Sequence, residues 1–202
     1  MNNQNFYLVA AGIALALIAA YFALNQQTAT ETVPANDQPD TVPPPVPQTI
    51  MEAIAQPFNA ILGLWRPPQP YADLILVAEQ RYGIAPNILA RLLYQESRYR
   101  ADIIDGRTQS PAGALGIAQF MPATAEDLGI DPLDPVQAIN AAGRYLSGLY
   151  RTFGNWSEAL AAYNWGQGNV SRKGLAAAPA ETQNYYAQIL NDVNAANGTN
   201  LS

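Results

Sequence analysis

The chain has 202 residues and a net charge of −6, with ten Lys or Arg against sixteen Asp or Glu. It contains no cysteine and no histidine, which excludes Ser-His-Asp and Cys-His nucleophilic catalysis, zinc sites built on those side chains and a disulfide framework. With a single lysine, Lys173, and no basic stripe, nothing is present to neutralise a run of phosphates, so no nucleic-acid partner is expected.

Residues 6–24 read FYLVAAGIALALIAAYFAL, an uncharged apolar run long enough to cross a bilayer as a helix. The preceding MNNQN lacks the basic residues of a secretory leader, and the first basic residue of the chain is Arg66. A retained single-span anchor (or uncleaved signal) over residues 1–24 is therefore the expectation, with a cleaved signal as the alternative. The flanks carry no Lys or Arg, so they leave the orientation open. Residues 25–49 contain VPANDQPDTVPPPVPQ, a Pro-rich spacer that cannot bury a core and that extends at roughly 3 Å per residue. A Pro-rich ligand for a partner domain is the other reading of this stretch. Residues 50–70 form an amphipathic segment and boundary, with Ile50, Ile54, Phe58, Ile61, Leu62 and Trp65 at helical spacing and Pro57 as a kink.

From residue 71 to residue 196 the pattern is helix after helix. Tyr71, Leu74, Ile75, Ala78 and Tyr82 make one stripe, and Gly83 stops it. The next helix is expected to carry Pro86 in its first turn. It has Ile88, Leu89, Leu92 and Leu93 on an apolar face, with Asn87, Arg91, Gln95 and Arg98 opposite. Residues 102–111 read as loop. A short helix runs from Pro122 towards Gly129. Asp134 and Pro135 cap and open a helix through Ile139, Ala142, Leu146, Leu149 and Phe153 that ends at Gly154. Ser157 is the expected cap of SEALAAYNW, which stops at Gly166. The last helix begins near Pro179, and residues 197–202 are expected to fray. No strand alternation and no repeat is evident, so the fold class is all-α.

One residue breaks this patterning. Glu96 lies four residues after Leu92 and eight after Ile88, on the apolar side of its helix. A carboxylate there is costly unless it is paired, protonated or in use. Desolvation would raise its pKa, as a general acid near neutral pH requires. Arg98 or Arg100 could instead pair with it structurally.

Four blocks follow one another: QES at residues 95–97, GALGIAQFMPATA at 113–125, AYNWG at 162–166 and ETQNYY at 181–186. Singly each is weak. In this order in an all-helical chain, they resemble the soluble lytic transglycosylase family of the lysozyme-like superfamily, over about residues 71–193. The resemblance implies a lysozyme-like helical domain that takes the glycan strands of peptidoglycan as its partner and needs no cofactor or metal. It implies that Glu96 is the single catalytic acid/base. Ser97, Ser110, Gln119, Met121, Tyr163, Asn164, Glu181 and Tyr185 match residues around the sugar cleft. Ala118 and Ile117 depart from the family's frequent Met and Leu, and the 102–109 loop is longer than usual.

In this family the acid protonates the glycosidic oxygen between N-acetylmuramic acid and N-acetylglucosamine. It then takes the C6 hydroxyl proton as a 1,6-anhydro ring closes. Many glycosidases need a second carboxylate, and none stands in a block near Glu96. A hydrolysing muramidase of the goose-lysozyme kind would have only Asp102 or Asp105 to activate water. A non-catalytic glycan-binding scaffold is the reading outside enzymes. Bland alternatives stay open at single positions: packing for Tyr163, a satisfied core amide for Gln119 and a helix cap for Glu181. Tyr163 could equally orient Glu96. A membrane-held wall-cutting domain suits a bacterial envelope protein facing the periplasm, or a phage virion protein with assembly partners.

Overall fold

The computed structural model describes residues 65–202. The expected span over residues 6–24, the linker and residues 50–64 of the amphipathic segment lie outside them. The described residues belong to one compact unit. Among them are eight α-helices and no strand, as expected of an all-α chain; Leu115 and Phe120 form one isolated antiparallel bridge. None of these helices is long and apolar enough to cross a membrane.

Helix α1 spans Tyr71–Arg81, with Asp73 in its first turn and Arg81 in its last, each suited to the helix dipole. Gly83 follows at φ +63°, in the left-handed region that ends helices. Helix α2 spans Ile88–Ser97. Its start is two residues later than Pro86 led us to expect, because Asn87 turns left-handed at φ 72° and serves as N-cap. No side chain of its own caps this helix. The cap comes from α1: the Glu79 carboxylate accepts from the N–H groups of Asn87 (3.0 Å), Leu89 (2.9 Å) and Ala90 (3.2 Å). Three orphan donors at a buried helix start are thereby satisfied at once.

The polar face expected for α2 is a second correction. Asn87 and Arg91 are buried along with Ile88, Leu89, Leu92 and Leu93, because α8 covers that side. A third concerns the loop after residue 101: Ala101–Ile104 form a helical turn, α3, that buries Ile104. Helix α4 (Pro122–Leu128) has Pro at its start and left-handed Gly129 after its end. Helix α5 (Pro135–Phe153) is capped as expected by Asp134, which accepts from Val136 N–H at 2.8 Å.

Helix α6 (Trp156–Trp165) is capped by Asn155, not Ser157; Asn155 Oδ1 accepts from Glu158 N–H at 2.8 Å. The Asn backbone is extended at that position, which the cap requires. Ala159, Leu160, Ala161 and Ala162 of α6 are fully buried, and α5, α7 (Gln167–Lys173) and α8 (Ala180–Asn197) all pack on this helix. Its small side chains let three neighbours approach one axis. α7 and the 3₁₀ turn at Leu175–Ala177 had no counterpart in the sequence reading. The tail is tied down. Leu201 N–H donates to Asn194 Oδ1 at 2.7 Å, and Trp156 N–H donates to the Ser202 carbonyl at 2.7 Å.

Candidate active site

Glu96 sits in the last turn of α2, where α8 crosses it. Its Oε1 accepts a short hydrogen bond from the Tyr185 hydroxyl. Tyr185 is buried in the second turn of α8, four residues after Glu181. Glu96 is half-buried as a residue, while protein atoms surround its carboxyl. Burial pushes its pKa up to about 7, with the Tyr185 bond pulling the other way. Near neutral pH both protonation states are therefore accessible, the condition for a group that gives a proton and takes one back.

The structural alternative for Glu96 finds no partner among the described residues. The Arg98 guanidinium lies over the Tyr94 ring, 4.7 Å from its centroid, and Arg100 pairs with Asp102 at 2.6 Å. Glu79 is an instructive contrast. Burial pushes it too up to about 7, against the pull of its three N–H donors. Its oxygens are committed to backbone in the core, whereas Glu96 carries one phenol.

Tyr163, from α6, comes close without bonding the acid. Its hydroxyl donates to the Ala118 carbonyl at 3.0 Å, so the expectation that it orients Glu96 is corrected: Tyr185 does so. Burial first, then the Glu96 charge, raises the Tyr163 and Tyr185 phenols well above the ordinary range. Both therefore stay protonated and can donate. The Tyr163 ring lies 5.9 Å from that of Phe120 and 5.7 Å from that of Tyr145, which builds an aromatic wall. Phe120 and Tyr145 were not singled out from sequence. Tyr145 falls beside the apolar stripe of α5, which is the one signal it gives.

The turn carrying Gln119 is held by the Leu115–Phe120 bridge, whose two N–H···O bonds measure 3.0 and 3.1 Å. Gln119 adopts φ 48°, and its Nε2 donates to the Gly116 carbonyl at 2.8 Å. That amide shapes its own turn. Gly116 has φ +74°, and a Cβ there would lie 1.8 Å from the Pro132 carbonyl oxygen, so only glycine fits. Met121 is exposed at the start of α4.

Other expected site residues have supporting positions. Ser97 is fully buried; its hydroxyl donates to the Leu93 carbonyl at 3.0 Å and accepts from Tyr99 N–H at 3.2 Å. It offers no surface to a sugar, which corrects its assignment to the cleft. Ser110 Oγ accepts from Ala114 N–H at 2.9 Å and closes the turn before the glycine-rich block. Asn164 accepts from the Thr182 hydroxyl at 2.8 Å, linking α6 to α8. Glu181 is exposed in the first turn of α8, on the same face as Tyr185. Asp102 binds Arg100 and the Thr108 hydroxyl (2.8 Å), and Asp105 pairs with Arg107 (2.8 Å). The Arg100 and Thr108 bonds hold the Asp102 carboxyl below its ordinary range.

A helical domain with one recessed, protonatable glutamate under a phenol is lysozyme-like in class. The Transglycosylase SLT domain description matches residues 73–186, more than half of the chain, and the chain belongs to that family. It is 32% identical over 140 residues to the peptidoglycan transglycosylase gp16 of Escherichia phage T7, covering 61% of this chain and 10% of that protein. It is 31% identical over 123 residues to the transglycosylase of Enterobacteria phage PRD1, covering 60% of this chain and 42% of that one. Among solved structures it resembles the 70 kDa soluble lytic transglycosylase of Escherichia coli at 28% identity and a TM-score of 0.53, covering 63% of this chain and 24% of the other. The chain thus spans less than half the length of these relatives.

Proposed function

We propose that this chain is a peptidoglycan lytic transglycosylase that cuts the bond between N-acetylmuramic acid and N-acetylglucosamine without water. The observation that carries this is Glu96, recessed, pushed to about 7 and bonded by the Tyr185 phenol alone among the described residues. Protonated Glu96 gives its proton to the glycosidic oxygen as the C1–O bond breaks, and the neighbouring N-acetyl group shares the positive charge at C1. The Glu96 carboxylate then takes the C6 hydroxyl proton while O6 bonds to C1. A 1,6-anhydro ring results, and the acid returns to its starting state. One carboxyl serves both steps, so no second is needed.

Goose-type hydrolysis is the weaker reading, because Asp102 and Asp105 are committed to arginines. Tyr163 and Tyr145, backed by the buried Phe120, offer an aromatic wall to a sugar face, and Gln119, Met121, Asn164 and Glu181 extend the surface around it. Digestion of purified sacculi followed by mass spectrometry tests the reaction: 1,6-anhydromuramic ends are expected, and reducing ends alone would overturn it. Glu96→Gln should abolish the product; unchanged clearing by that variant would overturn the enzymatic assignment built on Glu96.

The same proposal places the domain on the wall side of a membrane, held by residues 6–24. Support comes from the apolar run itself and from relatives named membrane-bound lytic murein transglycosylase F, one of them 36% identical over 105 residues. The phage relatives support deployment in a virion equally. Alkaline carbonate extraction of full-length chain should leave it with the membrane fraction.

A further inference from the structure

Helices α2 and α8 run antiparallel, and three polar rungs join them. Glu96 meets Tyr185, Arg91 meets Asp192 (Nε to Oδ2, 2.7 Å) and Asn87 meets Asn197 (Nδ2 to Oδ1, 2.6 Å). The middle rung stands out. Arg91 is only 4% exposed, and its other arm donates from Nη1 to Gln95 Oε1 at 2.9 Å, the residue beside the acid. Burying a guanidinium is costly, and an apolar side chain of similar volume would often stabilise such a position as well or better. What an ion pair with a buried guanidinium does supply is register, because apolar surfaces slide over one another more readily than paired charges do.

We propose that Arg91 is a positioning residue for the acid: through Asp192 it fixes the register of α8 on α2, and so holds the Tyr185 hydroxyl on Glu96. This rests on Glu96 being the acid proposed above. A slip of one residue moves a helix by about 1.5 Å and turns it by roughly 100°, which no hydrogen bond survives. Asp192 and Tyr185 sit seven residues apart on α8, two turns, so both face α2 together. The charged and titratable groups around Arg91 are Asp192 and Tyr185 from α8, Tyr94 from its own helix and Tyr99 from the turn that follows. Those facing Glu96 are Tyr185 and Tyr163.

The test is the titration of the Glu96 side-chain carboxyl by ¹³C NMR, read beside the turnover of sacculi. The Tyr185 bond favours the ionised acid, so loosening it moves the titration to higher pH. Arg91→Met should move it up by about 0.5–1 pH unit, as Tyr185→Phe should, and should lower kcat about ten-fold with KM held within about two-fold. Arg91→Lys, charged but without the fork, should fall between. The deciding variant combines Arg91→Met with Tyr185→Phe. If Arg91 acts through Tyr185, the double variant titrates like Tyr185→Phe alone. A full further shift in that background, or none in Arg91→Met by itself, overturns the proposal. Should Arg91→Met not fold, Asp192→Asn carries the same comparison, since Asp192 is 44% exposed. If wild-type protein yields no anhydro ends while the titration still responds to Arg91, the enzymatic assignment falls and the positioning role stands.

Discussion

Replacing Glu96 with Gln turns the site's titration into a stability measurement. Glutamine has the shape of the protonated acid, and its carbonyl oxygen can accept the Tyr185 hydroxyl bond. Burial holds the Glu96 carboxyl at about 7, against 4.5 for an ordinary glutamate. A raised folded-state pKa contributes stability that is fully present below about 4.5 and lost as pH rises through about 7. The interval, 7 less 4.5, corresponds to about 3 kcal/mol at 1.36 kcal/mol per pH unit. Relaxation of the site around the charged carboxyl leaves about 1–3 kcal/mol of this. At pH 5 the two proteins should therefore melt close together. At pH 9 the Gln variant should melt higher by about 3–9 °C, taking roughly 3 °C per kcal/mol for a domain of this size. Glu79 titrates alike in both proteins and cancels from the difference. Thermal melts followed by circular dichroism at the two pH values suffice. If the variant gains nothing between pH 5 and pH 9, the carboxyl is not desolvated and its role as an acid near neutral pH loses its physical basis.

Three further changes probe the surroundings. Tyr163→Phe removes the bond to the Ala118 carbonyl and should cost about 0.5–1.5 kcal/mol in urea unfolding, while the Glu96 titration stays in place; a shift as large as that of Tyr185→Phe would show direct contact with the acid. Glu79→Ala leaves three N–H groups at the start of α2 without acceptors and should destabilise by about 2–5 kcal/mol. The basic limb of its pH–rate profile should match wild type, because Glu79 lies outside the chemistry. Gly116→Ala drives a methyl group to 1.8 Å from the Pro132 carbonyl oxygen, so unfolding free energy should fall by more than about 2 kcal/mol, and amide resonances of the Leu115–Phe120 turn should move. A loss under about 0.5 kcal/mol would mean the two segments do not approach so closely.

What could be seen in the sequence was local. Asp134 before Pro135, Gly129 and Gly154 each act within one turn, and the helices they bound lie where patterning put them. Glu96 was conspicuous for the same reason: its place on an apolar stripe needs only its own helix. The misses are tertiary. Arg91 sits opposite that stripe, which reads as solvated until α8 is laid across it. Glu79 caps a helix eight to eleven residues away across a turn, and neighbouring residues give no hint that its carboxylate points there. Tyr163 and Tyr185 both belonged to blocks pointing at the acid. Which hydroxyl reaches it depends on the crossing of α6 and α8, information that no single helix carries.

The acid and its phenol are 89 residues apart in the chain. A polypeptide cut short before α8 still holds Glu96 and the glycine-rich block, yet its carboxyl has no Tyr185 to orient it. Competence is thereby tied to completion of the domain: synthesis must run through the last helix, and that helix must dock, before the site exists. Proteolysis within α8 would part Tyr185 from Glu96 without touching the carboxyl itself. Under the proposed function, this long chain separation would withhold cutting until the domain is complete.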